Sequence, residues 1–217
     1  MNKKAKFSGK STPPGKDFNS RAHAPRFGGA YFRKFYLDAK TRVVSPEEMR
    51  NRAAVIVGVL RQAQIPVRRI LDAGCGIGLL RAPFAALLPR ARYTGLEHSE
   101  YLCAKYGWTL GSIADFEARK PYDLVVCYDV LQYLTDREAA RAVANFSRLT
   151  SAALYVSALT REDWRDNCDR SRTDRAVHLR SGAWYRRRLQ REFRYLGFGI
   201  WIRKNVTAIL WELEKYR

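Results

Sequence analysis

The sequence predicts an α/β fold in which helices pack on both faces of a mostly parallel sheet. Three observations lead there. Strand-like and helix-like apolar patterns alternate from Ser45 onward. Residues 124–130 form a nearly continuous apolar run, as in a central strand covered on both sides. The first strand runs directly into a glycine-rich turn and then a helix. A chain of 217 residues with 47% hydrophobic content holds one such domain with modest extensions.

In chain order, residues 1–27 combine Lys, Ser, Gly, Pro and Asn with few apolar positions, a composition that predicts a flexible basic arm. The folded domain is expected over 28–217. It opens with an aromatic cap at 28–44, in which Tyr31, Phe32, Phe35 and Tyr36 need a surface to cover. Ser45-Pro46-Glu47-Glu48 supplies an N-cap serine, a proline at N1 and a capping-box glutamate, with Met49, Ala53, Ile56 and Leu60 on one face of the helix that follows. Residues 67–73 read as a buried strand and 79–88 as a compact apolar helix; 93–97 and 99–106 repeat the pair.

A third strand is expected over 108–115. The central strand at 124–130 follows, and Thr135 to Glu138 forms a second capping box opening a helix to about Leu149. After a strand at 152–159, the polar stretch 160–180 is longer than an ordinary connection and is expected to act as a lid. Ser181 caps a last helix, expected to run to Gly197 with Trp184, Leu189, Phe193 and Leu196 facing the sheet. Segments 200–204 and 207–213 are expected to pair antiparallel. The sheet is then seven-stranded, in the order 3-2-1-4-5-7-6, with the last strand antiparallel.

The net charge of +19 is uneven, at +8 over residues 1–36, +4 over 37–160 and +7 over 161–204. Basic ends of this kind attract phosphate-rich partners or simply solubilise a surface. No apolar run reaches the roughly 20 residues of a membrane-spanning helix, and no apolar stretch follows the N-terminal lysines, so a soluble cytoplasmic protein is expected. Cys75, Cys103, Cys127 and Cys168 are far apart, without a C-x-x-C pair or a histidine at ligand spacing; neither a metal site nor a disulfide framework is predicted.

The residues that carry chemistry begin at Asp72, where an apolar strand delivers an acid and then Gly74, Gly76 and Gly78 at alternate positions. Glycines there let the backbone turn sharply and approach a ligand, and the next helix points free N–H groups at the same place. The dinucleotide pattern G-x-G-x-x-G would need glycine at 79, which is leucine. An acid two residues before the first glycine suits a cationic ligand and would repel a pyrophosphate. Glu97, at the end of the next strand, stands where a carboxylate can accept both ribose hydroxyls of an adenosine.

Asp72-x-Gly74-x-Gly76-x-Gly78 followed by Glu97 resembles the first two motifs of the class I, Rossmann-like S-adenosylmethionine-dependent methyltransferases, over roughly residues 45–215. The resemblance implies S-adenosylmethionine as cofactor, held by Asp72, Gly74, Cys75, Gly76, Gly78, Glu97 and His98. It also implies an adenine site beside the third strand. There Gly111-Ser112 replaces the frequent Gly-Asp, so that either Ser112 or Asp115 meets the adenine amine while Ile113 packs on the ring. Tyr128 to Leu134 resembles the segment lining the methionine end, with Tyr128 and Tyr133 beside the reacting centre. The Pro-Pro-aromatic signature of DNA amino-methylation is absent there, and no cysteine pair suits C5 methylation of a pyrimidine.

Methyl transfer from a sulfonium is an in-line displacement, for which positioning and desolvation can suffice. Where a base is needed, Tyr133, His178, Asp163 and Asp166 are the candidates, Tyr133 and His178 foremost. Tyr31, Tyr36, Trp164 and Arg165 are expected to hold the acceptor. A small-molecule acceptor is favoured by the aromatic cap and the lid; an RNA or protein acceptor recruited by the basic arm is the alternative, and a non-catalytic binding protein of the same fold the third. The sequence leaves oligomeric state open.

Overall fold

The computed structural model describes residues 27–214. All of the expected basic arm except Phe27 therefore lies outside the described residues. The sheet has seven strands in the order β3-β2-β1-β4-β5-β7-β6, made of β1 (Arg69–Ala73), β2 (Arg92–Glu97), β3 (Thr109–Leu110), β4 (Tyr122–Tyr128), β5 (Thr150–Ser157), β6 (Phe193–Gly197) and β7 (Ile200–Arg203). The first five strands pair in parallel, and β7 lies antiparallel between β5 and β6.

Two apolar layers cover the sheet, and β4 shows why its sequence is apolar throughout. Leu124 and Val126 face one layer, with α2 (Pro46–Gln62) and α3 (Arg81–Leu87) supplying Met49, Ile56, Leu60 and Phe84. Val125 and Cys127 face the other, against Phe146 of α5 (Asp136–Leu149) and Leu189 of α7 (Gly182–Leu189). Each large side chain so buried contributes about 1.5–3 kcal/mol. Both expected capping boxes form, at Ser45 with Glu48 and at Thr135 with Glu138. Between β2 and β3 runs α4 (Glu100–Tyr106), capped by Ser99.

Three expected elements differ. The third strand is only two residues long, because after Leu110 the chain turns at Ser112, whose carbonyl accepts from the amides of Asp115 and Phe116. The last helix stops at Leu189, and Phe193–Gly197 is a strand. Its side chains alternate with a period of two, Phe193 and Tyr195 packing in the α5 layer and Leu196 in the α2 layer, which no helix face could satisfy. Finally, β7 pairs with β6 instead of with 207–213. Gly197, Phe198 and Gly199, all at positive φ (107°, 49° and 77°), close that hairpin. Both edges of β7 are then occupied, and the later segment runs instead along α2, where the Ile209 amide donates to the Ala63 carbonyl.

The N-terminal cap is helical, α1 (Gly29–Phe32) continuing as a π-helical turn at Arg33–Leu37. In the 160–180 segment, α6 (Arg161–Asp166) is capped by Thr160 and Asp163. Both lie over the carboxyl ends of β1, β2, β4 and β5, where ligands of open α/β sheets bind.

Candidate active site

The glycine turn is shaped by a residue not singled out in the sequence for this role, Trp108. Its indole Nε1 donates to the Gly76 carbonyl at 3.0 Å. A Cβ at Gly78 would lie 2.6 Å from the same indole, and one at Gly95 would meet it at 2.6 Å and Cys75 Sγ at 2.8 Å. Gly74 (φ 75°) is closed off by Val130, 2.2 Å from where its Cβ would stand. Gly76 (φ 55°) alone of the three faces open space, so its missing side chain leaves the cradle into which a ligand can settle.

Two carboxylates flank that cradle. Glu97 is buried and accepts the Gly76 amide on one oxygen (2.8 Å) and the amides of His98 and Ser99 on the other (2.8 and 2.9 Å). These three bonds fix its orientation at the wall of the cavity it lines and leave about one lone-pair site of the carboxylate open. Asp72 is buried at the end of β1 and accepts the Tyr93 hydroxyl at 2.5 Å. Burial pushes its carboxyl up to about 7, opposed by the Tyr93 bond and reinforced by Glu97. A cationic ligand would relieve that burden. Burial, with Asp72 and Glu97 nearby, also pushes the Cys75 thiol well up, leaving it a packed, unreactive side chain.

A cavity of about 200 Å³ opens from the turn, walled by Gly74, Gly76, Glu97, Ser112, Ile113 and Tyr133 among others. A second chamber, of about 340 Å³, adjoins it between the aromatic cap and the 160–180 segment. Tyr31, Tyr36, Asp129 and Tyr133 line both. The Tyr31 hydroxyl donates to that of Tyr133 at 3.0 Å, and Phe27 stacks edge-on against both rings. Burial, then the neighbouring phenols, raises the Tyr31 and Tyr36 hydroxyls far above the usual range, so both remain donors. Tyr128 lies in a small recess with Asp72 and Gly76, its ring under the Arg52 guanidinium at 4.0 Å.

Of the candidate site residues, Asp72, Gly74, Cys75, Gly76, Glu97, His98, Ser112, Ile113, Tyr128, Tyr133, Tyr31 and Tyr36 line these spaces. Gly78 instead packs on Trp108. Asp115 points away and pairs with Arg141 at 3.1 Å on the exposed surface, because the turn at Ser112 carries it past the cavity.

His178, Trp164 and Arg165 line neither chamber. The His178 amide is pinned to the Gln132 carbonyl at 2.7 Å while its side chain is exposed. Arg165 pairs with Asp166 in solvent, and Trp164 packs beneath Arg170. The 160–180 segment walls the chamber through Asp163, Asn167, Asp169, Arg172 and Asp174.

Sequence reasoning also passed over Asp129 and Arg180. Asp129 follows β4 in a left-handed conformation (φ 56°), its amide held by the Ser157 carbonyl at 3.0 Å, and it lines both chambers. Its position just past an apolar central strand, in a residue type that tolerates that conformation, was the available signal. Arg180 is buried and donates to the carbonyls of Leu131, Leu134 and His178 and to Asp136, locking the turn that carries Tyr133. Nothing in its sequence context distinguishes it from the other arginines around it. Among the described residues no cluster of His, Cys, Asp and Glu could hold a metal ion, and no helix is long and apolar enough to cross a membrane.

Comparison with known proteins follows the same outline. No curated protein matches the sequence. Solved structures similar in fold include magnesium protoporphyrin IX methyltransferase from Synechocystis PCC 6803 with bound S-adenosylhomocysteine, at 18% identity and a TM-score of 0.59 over 82% of this chain and 96% of that one. The N-methyltransferase NodS from Bradyrhizobium japonicum is similar at 16% identity and a TM-score of 0.56, covering 83% of this chain and all of the other. DesVI from Streptomyces venezuelae is similar at 19% identity and 0.55, covering 72% and 91%. A family model described as a methyltransferase domain matches residues 71–152, a span that runs from β1 to β5 through the glycine turn and both acidic strand ends. Residues 71–152 thus match a methyltransferase-domain model, within a seven-stranded sheet whose order is the one expected from the resemblance to the class I, Rossmann-like methyltransferases.

Proposed function

We propose that the protein methylates a small-molecule acceptor bound in the chamber between the aromatic cap and the 160–180 segment. The observation that carries this reading is the chamber itself, about 340 Å³ and joined to the glycine-turn cavity through Tyr31, Tyr36, Asp129 and Tyr133. Its size suits a compact ligand. Two proteins similar in fold are a magnesium protoporphyrin IX methyltransferase and the N-methyltransferase NodS, and the first supports this choice.

The cofactor, when bound, supplies an electrophilic methyl group on a sulfonium. Glu97 would hold the ribose, Ile113 would pack on the adenine beside Ser112, and Asp72 would balance the charge of the amino acid end through the turn. Tyr128 and Tyr133 shape the opening through which the acceptor approaches. The cap and the lid segment exclude water and hold the acceptor in line, which is where most of the acceleration of such a displacement arises.

The test is incubation of the full chain with S-adenosylmethionine carrying a labelled methyl group and cell extract split into low-mass, RNA and protein fractions. Label entering the low-mass fraction supports the reading. Label entering only RNA or protein overturns it in favour of a macromolecular acceptor.

A further inference from the structure

The charge inside the acceptor chamber has the opposite sign to the chain as a whole. Asp129, Asp163, Asp169 and Asp174 line it against two guanidinium groups, Arg42 and Arg172, and Arg172 is drawn toward the Lys40 carbonyl at 2.7 Å. Between the acids stand the rings of Tyr31, Phe35, Tyr36 and Tyr133. Asp163 is committed to capping α6 through Thr160, and Asp169 accepts from Ser171. Asp129 accepts from the Tyr128 hydroxyl and, at 3.4 Å, from the Gln132 amide, and is the one of these four acids that also lines the cofactor cavity.

We propose that the acceptor is a small primary or secondary amine, received as its ammonium by the Asp129 carboxylate among these aromatic rings. The assignment rests on the methyl-transfer reading given above. Carboxylate beside aromatic rings is the combination that attracts an organic cation. An acceptor carboxylate would be repelled by Asp129, and an alcohol is too weak an acid to yield its proton to a carboxylate.

The step balances within the site. The ammonium gives one proton to the Asp129 carboxylate, and the freed nitrogen lone pair forms the new N–C bond. The S–C bond breaks with its electron pair remaining on sulfur, and the product amine, one methyl heavier, carries the positive charge. Burial raises the Asp129 carboxyl above the ordinary range, opposed by bonds from Tyr128 and Gln132 and by the Arg52 charge and reinforced by Asp163; this brings it closer in basicity to the amine it must deprotonate.

The experiment uses the full chain saturated with S-adenosylhomocysteine, and calorimetry with benzylamine, benzyl alcohol and benzoate as probes of one shape and three charges. Benzylamine is expected to bind at least about tenfold tighter than the other two. Asp129→Asn is expected to cut that preference to about twofold or less, and Asp129→Glu to retain it. Equal binding of the alcohol, or preference for benzoate, overturns the amine assignment, and an undiminished preference in Asp129→Asn overturns the role of Asp129. If thermal melting shows that neither variant folds, the ranking of the three probes on the unmodified chain decides. Failure of the unmodified chain to take up S-adenosylhomocysteine sinks the methyl-transfer reading, whereas uptake without amine preference sinks only the amine.

Discussion

Asp72 offers the sharpest quantitative test, because its burial makes cofactor affinity depend on pH in a direction opposite to its effect on stability. Burial pushes its carboxyl up to about 7, against 3.8 unperturbed. A ligand whose ammonium end sits near the turn favours the ionised form, so binding below pH 7 expels a proton. If the bound carboxyl returns to its ordinary range, affinity for S-adenosylhomocysteine rises on the order of 20-fold between about pH 5.5 and 7.5. Stability runs the other way. The folded pKa is raised, so the contribution of this group is full below about pH 4 and is lost as pH rises to about 7, a change of up to ~4 kcal/mol. Calorimetry in two buffers of different ionisation enthalpy counts the protons, and Asp72→Asn should bind more weakly with a flat profile. A flat profile in the unmodified chain, or the same slope in Asp72→Asn, would refute the reasoning.

Three other substitutions probe the frame around the site. Gly95→Ala places a Cβ against Trp108 and Cys75 and should cost about 1–3 kcal/mol, seen as a lower Tm with weaker S-adenosylhomocysteine binding; an unchanged Tm would mean that the indole can move aside. Arg180→Met leaves the Leu131 and Leu134 carbonyls without their donor and should destabilise by about 3 kcal/mol in urea titration. His178→Ala should leave turnover of the eventual substrate within about twofold, since the side chain is exposed and outside both chambers; a large loss would return His178 to the site.

The sheet order and the glycine turn between two acidic strand ends were legible because both are written in local pattern. Asp72, the three glycines and Glu97 are consecutive in chain order with the strands that carry them, and β4 is apolar because both its faces are covered. The chamber under the aromatic cap was less so. The 160–180 segment could be marked as a lid from its length, but which of its side chains turn inward depends on the bond from the His178 amide to Gln132 and on the capping of α6. Those contacts turn Asp163 and Asp174 toward the chamber and leave Trp164, Arg165 and His178 outside. Trp108 became visible as the floor of the glycine turn only when β1 and β2 were brought side by side, Asp72 opposite Gly95. The hairpin of β6 and β7 was misplaced because Trp184, Leu189, Phe193 and Leu196 also fit a helical spacing, and only the pairing with β5 decides between the two periods.

The cradle at Gly76, between Asp72 and Glu97, is proposed to take the adenosine and amino acid ends of one cofactor. Titration of the full chain with S-adenosylhomocysteine and, separately, with NAD tests it most directly. Micromolar binding of S-adenosylhomocysteine is expected, abolished by Gly76→Val, which fills the open cradle, with no measurable heat from NAD. Tight NAD binding without a response to S-adenosylhomocysteine, or undiminished affinity in Gly76→Val, would contradict it.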